Sequence, residues 1–229
     1  MRPTDDPLVR SLIALIRLGD IDGVAALLAA QPELAGERFG SAHQSCTALH
    51  FATDWPGHFP KVAQTIDALV AAGAPLDGRF AGPHTETPLH WAASSDDIDA
   101  LDALLDAGAD IEADGAVHTG GTPLSDAVVF GQWNAARRLV ARGASMTIWQ
   151  AAALGHTDLV RHHLDDGHHT AIDVTNACWN ACRAGQMDAT RLLVAAGADL
   201  DWVGHDDLTP RAAAMASGNH ELIGWLRSR

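Results

Sequence analysis

Positive charge is scarce in this chain. Its 229 residues carry 15 Lys and Arg against 29 Asp and Glu, a formal net charge of −14, and the single lysine is Lys61. Binding to a phosphate backbone draws its affinity from clustered Lys and Arg, so this balance argues against a nucleic-acid partner and favours a basic one. Long apolar runs are missing too. No stretch approaches the roughly 18 residues of a membrane span, and MRPTDDPLVR lacks the basic start, apolar stretch and cleavage site of a signal peptide. Neither a membrane nor a secretory route is expected, which leaves the cytosol as the default compartment. Cysteine is limited to three, an odd count. Cys178 and Cys182 are spaced as neighbours on one helix face rather than as a disulfide framework, so free thiols are expected. Aromatics make up only 5% of the chain. Hydrophobic residues reach 47%, enough to bury a sizeable core.

What the chain has instead is repetition. TALHFATDWPGH begins at Thr47, TPLHWAASSDDI at Thr87, TPLSDAVVFGQW at Thr122, and TPRAAAMASGNH at Thr209. Second apolar-periodic stretches follow, among them IDALVAAGAPL, LDALLDAGADI, ARRLVARGAS and TRLLVAAGADL. From Thr87 to Gly108 and from Thr122 to Gly143 the spacing is 21 residues. Carrying that frame back from Gly167 and Gly197 opens weaker units at Met146 and Asn176. Seven units result, starting near residues 10, 47, 87, 122, 146, 176 and 209, in a single domain spanning 1–229.

The local physics of a unit is readable. Threonine is a good N-cap and proline a good first helical residue, so Thr-Pro starts a helix at a defined point. Small Ala lets helices approach closely, and a Gly near the end of the second helix stops it in a left-handed backbone. The polar, Gly-rich segments that follow, such as DIEADGAVHTGG, suit a turn or hairpin.

On these residues the units resemble ankyrin repeats, whose pattern of about 33 residues opens its first helix with TPLHxA. The resemblance covers roughly residues 8 to 229. It implies an all-α ankyrin-repeat solenoid of about seven helix-turn-helix units with short β-hairpin fingers, each unit burying its apolar face on its neighbours. It also implies a concave face formed by fingers and first helices, and a scaffold role for His50 and His90, whose rings bond backbone between units.

The chain departs from the repeat at three places. WPGHFPK lengthens the second unit by about five residues between its helices. Gly143 lies only three residues before Met146, so one finger is expected to be missing near residues 143–146, opening a notch in the groove. The junction HHTAIDVTN is also short.

Residues that the repeat leaves free are the candidate site. The fifth, eighth and ninth letters of the opening motif are implied to face the groove, which nominates Phe51, Asp54, Trp55, Trp91, Ser94, Ser95, Asp126 and Phe130. Finger histidines recur at His43, His84, His118 and His205. Stacking would bring His84, Glu86 and His118 into adjacent fingers above the tryptophans. No zinc spacing, phosphate loop, nucleophile elbow or dinucleotide fingerprint is present, so no metal, cofactor or catalytic residue is assigned. The His-rich run HHLDDGHH (162–169) reads as a solvated face.

Two functions are compatible with this pattern. The first is a non-enzymatic interaction module that binds an unidentified protein partner through the groove of units two to five. The alternative is a small-molecule-binding or acid–base enzyme with an aromatic, Asp/His-lined pocket in the interrupted groove.

Overall fold

The computed structural model describes all residues, 1–229, and contains fifteen α-helices, one 3-10 turn (His205–Asp207) and one short hairpin. It divides into two compact units, Met1–Ala144 and Ser145–Arg229. No helix is long and apolar enough to cross a membrane.

The first unit holds four helix pairs: α1 (Pro7–Leu18) with α2 (Ile21–Ala30), α4 (Ala48–Thr53) with α5 (Val62–Ala71), α6 (Pro88–Ser94) with α7 (Ile98–Asp106), and α8 (Pro123–Val129) with α9 (Trp133–Ala141). A single turn, α3 (Glu33–Gly36), and the strands β1 (Phe39–Gly40) and β2 (Ser45–Cys46) lie between the first two pairs. The second unit holds α10 (Ile148–Leu154) with α11 (Thr157–Asp165), α12 (Ala171–Arg183) with α13 (Met187–Ala195), and α14 (Pro210–Ala216) with α15 (His220–Arg227). Only residues 142–147 separate α9 from α10, against 107–122 between α7 and α8, and no hairpin forms there.

Each second helix of the Gly-Ala type ends in the same way. The amide of Ala109 bonds the Leu104 carbonyl and that of Gly108 the Leu105 carbonyl; Ala144 and Gly143 do likewise onto Leu139 and Val140, and Ala198 and Gly197 onto Leu193 and Val194. These are Schellman closures, and the glycine is needed because its φ lies near +100°. The leucine three places before each cap is fully buried, so one sequence feature both stops the helix and anchors it in the core.

Three starts differ from the sequence frame. The first pair opens on Asp6, whose carboxylate accepts from the Leu8 amide at 2.8 Å, ahead of the expected start near residue 10. The fifth pair opens on Thr147, one residue after Met146, with Gln150 Oε1 accepting from both the Thr147 amide and its hydroxyl at 2.8 and 2.9 Å. The sixth first helix begins at Ala171, well before Asn176, because Thr170 and Asp173 form a reciprocal capping box. A frame counted from glycines reads none of these caps.

The opening histidines couple successive pairs. His50 Nδ1 accepts from the Thr47 amide at 3.2 Å and His50 Nε2 donates to the Glu86 carbonyl at 3.2 Å; His90 accepts from Thr87 at 3.1 Å and donates to the Gly121 carbonyl at 3.2 Å. In each case the acceptor residue immediately precedes the next capping threonine. In the second unit Trp179 does the same with an indole, Nε1 donating to the Leu208 carbonyl at 3.0 Å just before Thr209. Each of these carbonyls also receives an amide from its own finger: Phe80 on Glu86, Ala116 on Gly121 and Gly204 on Leu208. Both lone pairs are thus used. Burial lowers the pKa of both histidines, His50 to about 3, so the rings are neutral and hold a single tautomer.

Replacing these rings should separate their two contributions. His90→Ala leaves the Thr87 amide unpaired and opens a cavity, an expected loss of about 2–4 kcal/mol. Trp179→Phe keeps most of the ring volume and loses one hydrogen bond, an expected loss of about 1 kcal/mol. Urea titration of both variants checks the order; equal losses would show that the ring-to-carbonyl bond common to both, and not ring volume, carries the effect.

Candidate functional site

Three successive helix pairs of the first unit contribute to one pocket of about 260 Å³, lined by Asp54, Trp55, His84, Glu86, Trp91, Ser94, Ser95, Val117 and Phe130. Its floor is set by the segment before α6. There the His50 bond pins the Glu86 backbone, and the Glu86 carboxylate turns into the fold, where it is nearly enclosed. Oε2 accepts from Trp91 Nε1 at 2.9 Å and Oε1 accepts from the Val117 amide at 3.2 Å. His84 Nδ1 stands 2.8 Å from Oε2, off the line of a good hydrogen bond. The His84 ring stacks on Phe80 at 4.4 Å, and Trp91 meets His50 edge-on at 4.7 Å.

The lengthened loop between α4 and α5 forms a wall. His58 donates its amide to Asp97 and its Nε2 meets the Ser95 carbonyl at 3.1 Å, which folds the loop against the turn after α6. Gly57 allows this approach: its φ is +73°, and a Cβ there would lie 3.1 Å from Ser95 Cβ. Trp55 is left at the mouth with 78% of its surface exposed. Beside it Asp54 pairs with Arg17 at 3.0 Å. On the opposite side Phe130, which caps α8, packs on His118 at 5.6 Å.

Asp126 is placed differently from the expectation. It is fully buried on α8, and neither carboxylate oxygen has an aligned donor. Burial and the neighbouring Glu86 carboxylate raise its pKa to about 9, against a small opposing contribution from the Val117 amide. Two adjacent buried carboxylates cannot both ionise cheaply. The proton belongs on Asp126, since Glu86 already collects donors, and a protonated Asp126 supplies its own donor to Glu86.

Of the eleven nominated residues, Asp54, Trp55, His84, Glu86, Trp91, Ser94, Ser95 and Phe130 line the pocket. Phe51 does not: it is buried against Phe39 at 5.3 Å, because the fifth letter of its motif turns under the preceding finger. Asp126, also a fifth letter, is removed from the surface in the same way. His118 is exposed and touches the pocket only through Phe130. Its neighbour Val117, not nominated from the sequence, supplies both a lining side chain and the amide on Glu86. Alternation along the finger is the signal that could have pointed to it. The pocket draws on no residue from 143–149, so the missing finger is not its origin. His84 pairs with Glu86 and not with Asp54 or Asp126.

The buried proton has a measurable consequence. An unfolded aspartate releases its proton near pH 4, whereas folded Asp126 keeps it to about pH 9, so this residue lowers stability as pH rises through that window. Asp126→Asn preserves the shape, offers a donor to Glu86 and carries no such linkage. The variant is expected to gain on wild type between pH 5 and 9, by up to about 1.4 kcal/mol per pH unit. Urea midpoints at pH 5, 7 and 9 check this; a gap that does not change with pH would contradict the shared proton.

Comparison with known proteins agrees with the repeat. Residues 63–149 match the family model described as ankyrin repeats (3 copies). The rice "E3 ubiquitin-protein ligase XB3" is 37% identical over 102 residues, 44% of this chain and 21% of that protein. The "Ankyrin repeat and KH domain-containing protein mask-1" of Caenorhabditis elegans is 28% identical over 158 residues, 61% of this chain and 6% of that protein. The chain therefore spans about a fifth or less of these relatives. Among solved structures, the human ASB11 ankyrin repeat domain superposes with a TM-score of 0.55 at 19% identity, covering 94% of this chain and 96% of that one. The Thr-capped helix pairs, the ring-to-carbonyl bonds and the superposition together show an ankyrin-repeat fold, and residues 63–149 are similar to ankyrin repeats in sequence as well.

Proposed function

We propose that the first unit binds a protein partner through the face that carries the Trp55, Trp91 and Phe130 pocket. Ankyrin repeats are generally protein–protein interaction modules. The observation that carries the finer reading is where the exposed apolar surface lies. Trp55, Val117 and Phe130 are all exposed large hydrophobics, they come from three different segments of the chain, and they line one pocket. Exposed apolar groups that converge on a concavity mark recognition surfaces, and Trp is a frequent binding hot spot.

Acidic character favours a partner with a basic surface. Asp54 and Glu86 line the pocket of a chain whose net charge is −14. Complementary charge raises association rates and selects partners more than it adds affinity. A cytosolic setting is part of this proposal and is supported by three free thiols at Cys46, Cys178 and Cys182.

Trp55→Ala combined with Phe130→Ala tests the surface, because both side chains are exposed and the fold does not rest on them. With the partner recovered by affinity capture, binding by the double variant is expected to fall at least about tenfold at unchanged circular dichroism. Equal recovery by both proteins would move the interface elsewhere.

A further inference from the structure

The turn after α6, residues 94–97, is gripped from both sides. From the following helix pair, Gln132 Nε2 donates to the Ser94 carbonyl at 2.9 Å, and the Asp96 carboxylate accepts from the Ala135 amide at 2.7 Å and from Asn134 Nδ2 at 2.8 Å. From the preceding pair, His58 Nε2 donates to the Ser95 carbonyl at 3.1 Å, and the His58 amide donates to Asp97, whose other oxygen caps α7 at the Ala100 amide. Later turns of this kind put glycine in the left-handed position, as at Gly131, Gly155 and Gly185; here it is Asp96, with φ +55°. A non-glycine residue there is strained, and the two bonds to its carboxylate offset that strain.

The inserted loop is fixed at its other side as well. Arg17 Nη2 donates to Asp54 at 3.0 Å, the Arg17 guanidinium lies 5.9 Å from the centre of the Phe59 ring, and at Gly19 a Cβ would strike the Pro60 carbonyl. The loop therefore runs from the first helix pair to the third across the second, with Trp55 inside the span. Trp55 is 78% exposed and has little packing of its own to hold it. His58 is exposed too, and its φ is +57°, so core packing does not explain its place. A tryptophan on a free loop must be ordered when a partner docks, at a cost to affinity; one already held incurs no such cost. Resting on the proposal that this face docks a protein, we infer that His58 is a positioning residue: it ties the inserted loop to the turn at 94–97, so that Trp55 stands at the pocket mouth before any partner arrives. The mouth then has a fixed outline, and a partner is selected by its fit to that outline rather than by moulding the loop.

The chain supplies its own probe of this loop. Lys61 is the single lysine and is exposed at the end of the insertion, so a lysine-specific protease cuts the full chain at one place. Under native conditions that rate follows local opening. His58→Ala is expected to raise it at least about fivefold, the effect of one lost hydrogen bond. The same variant is expected to lower the heteronuclear NOE of the Trp55 indole, identified by its disappearance in Trp55→Phe, at an unchanged urea midpoint. His58→Gln is expected to restore both readouts, since glutamine carries an Nε2 donor at the same reach and Gln132 already makes this kind of bond to the Ser94 carbonyl. A wild-type Trp55 indole as mobile as the chain ends would overturn the inference. So would unchanged cleavage or unchanged indole relaxation in His58→Ala, or changes that track the urea midpoint and are not rescued by His58→Gln. None of these readouts uses a partner, so they stand or fall apart from the capture test of the double variant described above.

Discussion

A hydrogen bond from a buried ring nitrogen to the carbonyl just ahead of the next capping threonine is the contact on which the repeat depends. A single helix pair cannot bury its own apolar face, so stability must come from its neighbours. The ring nitrogen supplies direction to that packing. On one side it accepts from the threonine that starts its own helix, and on the other it donates across to the next finger. Helix start and inter-repeat register are therefore held by the same side chain. The bond also reaches function, because the Glu86 carbonyl that receives His50 belongs to the residue whose carboxylate forms the pocket floor. Scaffold and site meet at one residue.

Much of the fold was legible in the letters because capping and stopping are local chemistry. Thr-Pro, the first-helix alanines and Gly-Ala placed helix pairs with the right spacing where all three were present. Where neither Thr-Pro nor the opening histidine was present the frame slipped, at Asp6, by one residue at Thr147 and by a longer step at Thr170, since those caps are closed by Asp6 itself, by Gln150 and by Asp173, which the repeat pattern does not contain. Trp179 shows the limit of reading by residue type. An indole and an imidazole look unrelated in sequence, yet both carry a ring N–H at a similar reach, and the backbone carbonyl does not distinguish them.

The site was legible in part for a different reason. Residues left over by the repeat do collect at one pocket, but burial of an individual side chain depends on which finger lies above it. Phe51 and Asp126 occupy the same motif position as Trp91, and only the tryptophan reaches the pocket. The inserted WPGHFPK loop was visible as an insertion, while its folding back onto Ser95 and Asp97 to build a wall is a tertiary fact. Likewise the shared proton of Glu86 and Asp126 needs two residues 40 positions apart in the chain to be side by side.

The state of the His50 ring reports on all of this at once. Nitrogen-edited NMR of the imidazole signals between pH 7 and 4.5 follows its protonation and tautomer directly. A neutral ring with the proton on Nε2, unchanged to pH 4.5, is the expected result. Titration of His50 near the ordinary histidine value of about 6.5, or a proton found on Nδ1, would contradict the bond that sets the register and positions Glu86.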